Sequence, residues 1–477
     1  MQDKPKHSKL GWVILTVTAT AAFALGLFAT TIVERRGETI PARLQFMQPI
    51  PELEPDAAVW GRSFPRQYDS WKLTSIQREN FKYGGSGFRD YLKEDPRLVV
   101  IWAGNPFSID YNQARGHAHS LTDVLQTRRI DQKTPGTCFA CKTSDAPRLM
   151  EKMGVAEFYA ANFHELKAQV SHPTGCVDCH DSETMQLRVS RPALREAYER
   201  MGKNIDKASR QELRSLVCAQ CHSEYYFKGE GKYLTFPWDE GLKAEDMERY
   251  YARTGHVDWT HSISGAKMIK MQHPDYEVYS QGVHAFQGVS CADCHMPYKS
   301  EGGIKFTDHH IQSPLYNVQN SCQVCHRWSE DEIHSRVQSI QDKNHEMLST
   351  ALTAITAAHL EIGDAWRNGV PEAELQKARE LVSKAQMYWD YVAAHKGMGF
   401  HAPQECARVL AKAINIAQEC RLDVNTLRTR KGLGRYKLPD ISTKEKAQAY
   451  IRPYVDAQRA ADRAREEAAK AEVRPNG

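Results

Sequence analysis

Five short runs in this chain place two cysteines three positions apart and follow the second with a side chain that can bind metal. Four end in histidine: Cys176-Val177-Asp178-Cys179-His180, Cys218-Ala219-Gln220-Cys221-His222, Cys291-Ala292-Asp293-Cys294-His295 and Cys322-Gln323-Val324-Cys325-His326. The first in order ends in lysine instead, Cys138-Phe139-Ala140-Cys141-Lys142. A CxxCH run is the attachment signature of c-type haem, because two thiols bond the porphyrin edge while the adjacent imidazole reaches the iron beneath the ring. With 12 Cys and 20 His in 477 residues, composition alone gives about 0.01 such runs, so four are not chance. The lysine variant marks one iron that is ligated differently, through an amine that must lose its proton to offer a lone pair. The plainer alternative is a CxxC redox dithiol followed by an incidental lysine. If no histidine takes the opposite side of the amine-ligated iron, that face is open, and chemistry rather than electron relay is expected there. Structural zinc on CxxC pairs is excluded by the trailing histidines and the uneven spacing.

The remaining composition bounds the setting. Lys+Arg number 63 and Asp+Glu 59, a formal net charge of +4, and nothing in that balance points to nucleic acid. The run Leu10–Val33 is uncharged, with Lys4, Lys6 and Lys9 before it and Glu34-Arg35-Arg36 after it. At about 1.5 Å per residue it can cross a hydrocarbon core of about 30 Å. A cleaved leader has a shorter apolar stretch and an A-x-A-like site, and no clean site is visible. Residues 10–33 therefore read as a retained signal anchor in preference to a leader, with residues 1–9 cytoplasmic and the rest exported to the periplasm. Export agrees with ten of the 12 cysteines being consumed by haem.

Residues 34–60, rich in Pro, Glu and Gln from Gly37 onward, read as a tether. Residues 61–330 hold all five motifs, with short helices expected at Pro192–Met201 and Lys243–Ala252. From 331 to 425 the texture becomes helical. Ile333, Val337, Ile340, Met347, Ala351, Ala354 and Ala358 recur on one helical seam that ends near Gly369 ahead of Pro371. Two further helices are expected, Pro371–Ala394 and Pro403–Asp423. The small seam residues suit either a contact between two copies of the chain or packing within one. Cys406 and Cys420 share a seam about 21 Å apart, too far to bridge each other, and read as buried thiols. Residues 426–477 read as an extension, with Arg459–Glu472 a solvated helix or frayed tail. The fold class expected is mainly α: a multihaem cytochrome c fold with a haem-packed core and long C-terminal helices.

One CxxCK followed by four CxxCH in this order resembles pentahaem cytochrome c nitrite reductase, the periplasmic family that reduces nitrite to ammonium with six electrons. The likeness runs from Glu94-Asp95-Pro96-Arg97-Leu98-Val99-Val100 to His401-Ala402-Pro403 and reappears in Pro439–Ala447. The resemblance implies five covalent haem c groups, with Lys142, His180, His222, His295 and His326 as proximal ligands. It assigns His117 opposite the third motif, His309 opposite the second, His401 opposite the fourth and His284 opposite the fifth, with His119 and His310 as neighbouring alternatives. Its catalytic Tyr corresponds to Tyr225, in Ser223-Glu224-Tyr225-Tyr226, and its His to His273, in Lys270-Met271-Gln272-His273-Pro274. Its Arg falls on Arg129, with Arg128 as rival. It also implies a calcium ion held by the side chains of Glu224 and Gln272 and the carbonyls of Tyr225 and Lys270, all hard oxygen donors. Nitrite is an anion, so Arg129 and a cationic His273 are expected to attract it, with Tyr225 donating a hydrogen bond or proton. A homodimer and a membrane quinol dehydrogenase or other cytochrome donor follow from the same resemblance. Two rival functions remain: an electron-relay cytochrome without chemistry, and a related enzyme acting on hydroxylamine, sulfite or tetrathionate. The first leaves the Lys142 motif unexplained, and the second shares the same pocket logic.

Overall fold

The structure is a computed structural model that describes residues 9–45 and 48–472; the expected cytoplasmic segment falls on residues 1–8, outside the described residues, apart from Lys9. Helix α1 spans Lys9–Gln45, and its apolar stretch, Lys9–Glu34, is exposed throughout. Its 26 residues reach about 39 Å at 1.5 Å each, enough to cross a membrane.

The tether expected over residues 34–60 is corrected at both ends. The helix runs on to Gln45, and a second helix, α2 (Ala57–Ser63), already belongs to the globular body. Asp56 caps α2 through its carboxylate, and Trp60 is buried with its indole N–H donating to the Glu54 carbonyl. A lone buried tryptophan in a Pro-rich stretch gives no periodic signal, which is why the segment reads as a linker.

Between α2 and residue 329 the chain forms short helices, 3-10 turns and three two-stranded antiparallel hairpins. The helices at Pro192–Arg200 and Ala244–Thr254 lie close to the expected positions. Four long helices follow: α3 (Glu330–Arg367), α4 (Glu372–Ala394), α5 (Pro403–Arg430) and α6 (Lys444–Glu472). Ser329 and Glu332 form a reciprocal capping box at the start of α3. Gly369, at a left-handed φ of +81°, lets the chain turn before Pro371.

Helices α3 and α4 both lie against α5. Of the seam residues, Ile333, Val337, Ala351, Ala354 and Ala358 are buried within this one chain while Ile340 and Met347 are half-buried, so internal packing takes most of that stripe. Close approach is tight at Gly363, where an added Cβ would sit 2.5 Å from the Ile263 side chain. Cys406 and Cys420 are buried in the α5 core. The charged extension is more ordered than a tail: α6 docks through buried Ala447 and Ile451 and through Lys444, which pairs with Asp90 at 2.6 Å. Beyond that face its charged residues are solvated, as their composition demands.

Candidate haem centres and catalytic face

The three-residue cysteine spacing works because each motif is a single tight turn. In the second, third and fifth motifs the histidine N–H donates to the carbonyl of the first cysteine at 2.9–3.0 Å, putting both thiols and the imidazole on one side. The lysine motif is wound tighter: Lys142 N–H donates to Phe139 O at 3.1 Å, one residue later in register. All ten motif cysteines line one branched cavity of about 2200 Å³. Sites for single small molecules occupy about 300–1,000 Å³, so this space suits several macrocycles, and no cluster of three His, Cys, Asp or Glu competes as a metal site among the described residues.

Across the cavity the structure sets four pairs of imidazoles opposite each other, their planes tilted or edge-on. Ring centroids are 6.4 Å apart for His117 and His222, 6.2 Å for His180 and His309, 6.3 Å for His284 and His326, and 6.3 Å for His295 and His401. Four independent pairs at one separation leave room for a metal between them with bonds of about 2 Å on each side. The alternatives lie elsewhere: His119 bonds the Ser75 carbonyl at 2.9 Å outside the cavity, and His310 lines it without facing a proximal ring. Ten histidines line the cavity, namely 117, 180, 222, 273, 284, 295, 309, 310, 326 and 401. Eight are spent in the four pairs. Near Lys142 only His273 remains, and it belongs to the wall carrying Tyr225.

That wall is assembled from three distant segments. Tyr225 and His273 rings are 6.3 Å apart. Arg129 lies over the Phe107 ring at 4.2 Å, and its Nε donates to Thr127 Oγ1, which in turn donates to Asp110. Arg128 points away, donating to the Ile109 carbonyl, and does not line the cavity. Lys142 is held by Ser120, whose hydroxyl donates to the Lys142 carbonyl at 2.9 Å.

Tyr225 and His273 are both half-buried and line the cavity. Burial pushes the Tyr225 phenol well above its ordinary range, so it retains its proton. Burial, aided by the positive charge of Lys396, pushes His273 well below the usual imidazole range. That direction runs against the cationic His273 expected from sequence, and the Arg129 and Lys396 side chains line the cavity beside it. Lys396 has no motif around it, so sequence reasoning missed it.

Behind Tyr225 the calcium candidates come together. Glu224 is fully buried; its carboxylate accepts from the Tyr251 hydroxyl at 3.0 Å and from the Gln272 N–H, while Gln272 Nε2 donates to the Lys270 carbonyl at 3.2 Å. Beside it Glu277 accepts from Glu224 N–H and Trp238 Nε1, and its second oxygen is buried without a donor. Burial pushes Glu224 well above the carboxylate range and Glu277 up to about 8. Two dehydrated carboxylates and an orphan oxygen beside amide and carbonyl oxygens are an environment that a hard divalent cation relieves, so the residues present fit calcium. The Lys270 ammonium does not fill that role. It is buried against Asp390 of α4 at 3.0 Å, and Asp390 also accepts Met271 N–H, tying the 270–273 segment to the helical half. Neither Glu277 nor Asp390 carries a sequence signal of its own.

A second unforeseen element joins three motifs. Buried Arg191 donates to the Ala140 and Thr143 carbonyls near the first motif and to Asp178 inside the second. Gln220, inside the third, accepts the Ser190 and Arg191 amides and donates to the Asp178 carbonyl. The variable positions of CxxCH thus hold the motifs in mutual register.

A family model described as cytochrome c552 matches residues 56–476. The cytochrome c-552 of Bacteroides fragilis is 45% identical over 457 residues, covering 94% of this chain and 93% of that protein. That of Porphyromonas gingivalis is 45% identical over 462 residues, with 94% and 93% covered. Among solved structures, the catalytic subunit of cytochrome c nitrite reductase from Desulfovibrio desulfuricans, a protein described with two calcium sites, is similar at 33% identity and a TM-score of 0.77, covering 81% of this chain and 89% of that one. With cavity, motifs and matched length in agreement, the chain belongs to the cytochrome c552 family, the family of the cytochrome c nitrite reductases.

Proposed function

We propose that this protein is an exported pentahaem enzyme that reduces nitrite to ammonium at the haem of the Cys138–Lys142 motif, while four bis-histidine haems relay electrons to it. The observation that carries the reading is the asymmetry of the cavity. Four motif histidines each lie opposite a partner ring at 6.2–6.4 Å, whereas Lys142 lines the same cavity as Arg129, Tyr225 and His273. The reaction takes six electrons and eight protons per nitrite and releases two waters. Haem, when bound, supplies those electrons in single steps and an electron-poor iron that attracts the anion.

The side chains divide the rest of the work. Arg129, pinned by Thr127 and stacked on Phe107, offers a fixed cationic fork to nitrite oxygens and stabilises negative charge as N–O bonds break. Tyr225 keeps its proton and donates it as a hydrogen bond. Neutral His273 holds one N–H and one acceptor nitrogen, so it can take a proton from one side and pass one to the other. Glu224, Gln272 and the carbonyls of Tyr225 and Lys270 would hold calcium, whose charge would neutralise Glu224 and lock the two segments bearing Tyr225 and His273. The N-terminal helix would anchor the enzyme to the inner membrane on its periplasmic side, within reach of a quinol dehydrogenase or another cytochrome, and a homodimer fits the family.

The purified haem-loaded protein should convert each nitrite to one ammonium with a reduced donor and show one high-spin haem among low-spin ones. A spectrum of six-coordinate low-spin iron alone, without ammonium, would reduce the protein to a relay. Lys142→His should lower turnover about tenfold or more with five haems still attached; unchanged turnover would remove any special role for the amine.

A further inference from the structure

The motif histidines differ in what their outer nitrogen bonds. His180 Nδ1 lies 3.0 Å from the Met185 carbonyl and His295 Nδ1 2.9 Å from the Gln312 carbonyl, and the distal His309 Nδ1 is 2.8 Å from the Thr307 carbonyl. All three partners are neutral. His222 alone among the described motif histidines faces a carboxylate: its Nδ1 is 3.1 Å from Asp275 Oδ2. Asp275 is buried, and its other oxygen accepts the Lys396 N–H at 2.5 Å, so the acceptor is held in place from behind. The Tyr276 N–H donates to the His222 carbonyl at 3.0 Å, a second tie between the same two segments.

A carboxylate drawing on an imidazole N–H makes the ring a stronger electron donor through its other nitrogen, which favours the oxidised metal. We propose that Asp275 is a positioning residue that lowers the reduction potential of the haem ligated by His222, so that this haem hands electrons downhill to the lysine-ligated one. The location suits that direction of transfer. The first and third motifs are neighbours, with Cys141 Sγ 3.9 Å from the Gln220 carbonyl. Asp275 also sits two residues after His273, and its N–H donates to the His273 carbonyl at 2.6 Å. One short segment thereby presents a proton-handling side chain to the reacting face and an anion to the relay ligand next to it.

The inference rests on a bis-histidine haem at the third motif, but its readout does not depend on nitrite chemistry. In a spectropotentiometric titration of the haem-loaded protein, Asp275→Asn should make one low-spin haem at least tenfold easier to reduce, about 59 mV for one electron, with the other midpoints unmoved. Asp275→Glu, which keeps the charge, should hold that midpoint nearer the wild-type value. If no low-spin midpoint moves in the Asn variant, or Glu and Asn shift it alike, the proposal is overturned and Asp275 merely braces the segment. Should the Asn variant fail to load haem, the oxidised wild-type protein still decides. Its EPR spectrum should contain one low-spin signal with the compressed g spread of an imidazolate-like ligand, and four ordinary bis-imidazole signals would refute the assignment. A lost or unchanged nitrite activity bears on the catalytic reading alone.

Discussion

The two halves of this molecule solve the problem of an interior in different ways. From residue 48 to 329 short helices, turns and three hairpins bury a core of their own, with Trp102, Phe139, Phe158 and Trp238 fully enclosed, and also wall a cavity of about 2200 Å³. From 330 to 430 three long helices bury Leu375, Tyr388, Val409 and Leu410 against one another, while the first turns of α3 and the segment 396–401 reach the cavity. Polypeptide fills the interior of the second half, whereas the first divides its interior between a polypeptide core and a cavity that haem would fill. The difference teaches where stability and chemistry can be perturbed separately. One continuous apolar core runs through both halves, and links such as Lys270 to Asp390 add buried polar ties across it.

The largest effect expected on this division comes from removing one macrocycle. Cys138→Ser with Cys141→Ser should cost one haem by pyridine-haemochrome assay and bring nitrite turnover to background, while proteolysis should open the 120–145 region and spare α3–α5. Equal sensitivity in the long helices would mean that the halves are not separable. Next, Arg129→Ala should lower kcat/KM for nitrite by about 10²–10³ without changing melting, whereas Arg128→Ala should act within about twofold; a reversed pattern would relocate the anion site. A core truncation in the helical half should do the reverse. Leu375→Ala is expected to cost about 2–5 kcal/mol of stability, read as a lower Tm, with turnover per haem preserved.

The smallest expected effect comes from a buried polar pair where the helical half meets residues 261–264. His261 and His359 stack at 3.7 Å, with Ser264 bonding both and Gln386 accepting from His359. Burial pushes His359 down from 6.5 to about 4. A depressed histidine contributes stability that is complete above its unfolded pKa and is lost as pH falls toward the folded one. Stability should therefore decline from pH 6.5 to about 4, by about 3 kcal/mol at most, read as a falling Tm, and His359→Gln should flatten that slope. An identical slope in the variant would place the acid sensitivity in the haem half instead.

The sequence was most legible where the chemistry is local. A thiol pair and its following ligand must sit on one turn, so CxxCH and CxxCK announce themselves, and a helix packed along one face announces itself through the spacing of Val337, Ala351 and Ala358. Legibility fell wherever a residue acts through a partner far along the chain. Asp390 meets Lys270 across 120 positions and Arg191 meets Ala140 across 51, and neither end of such a contact has a pattern around it. The tether was misread because Trp60 is buried by contacts that composition cannot express. The charge on His273 was not legible because ionisation depends on burial and on Lys396, both set by folding.

What the residues by themselves determined is the local programme: where the cysteine pairs fall, which residue follows each, which of those is the odd one, and that long helices close the chain, since each follows from groups within a few bonds or turns of one another. What only the tertiary structure decided is which histidine faces which, that Arg129 rather than Arg128 enters the cavity, that Asp275 meets His222 and that Glu277 joins Glu224. Those pairings are made by packing in three dimensions, where separation along the chain carries no information about distance.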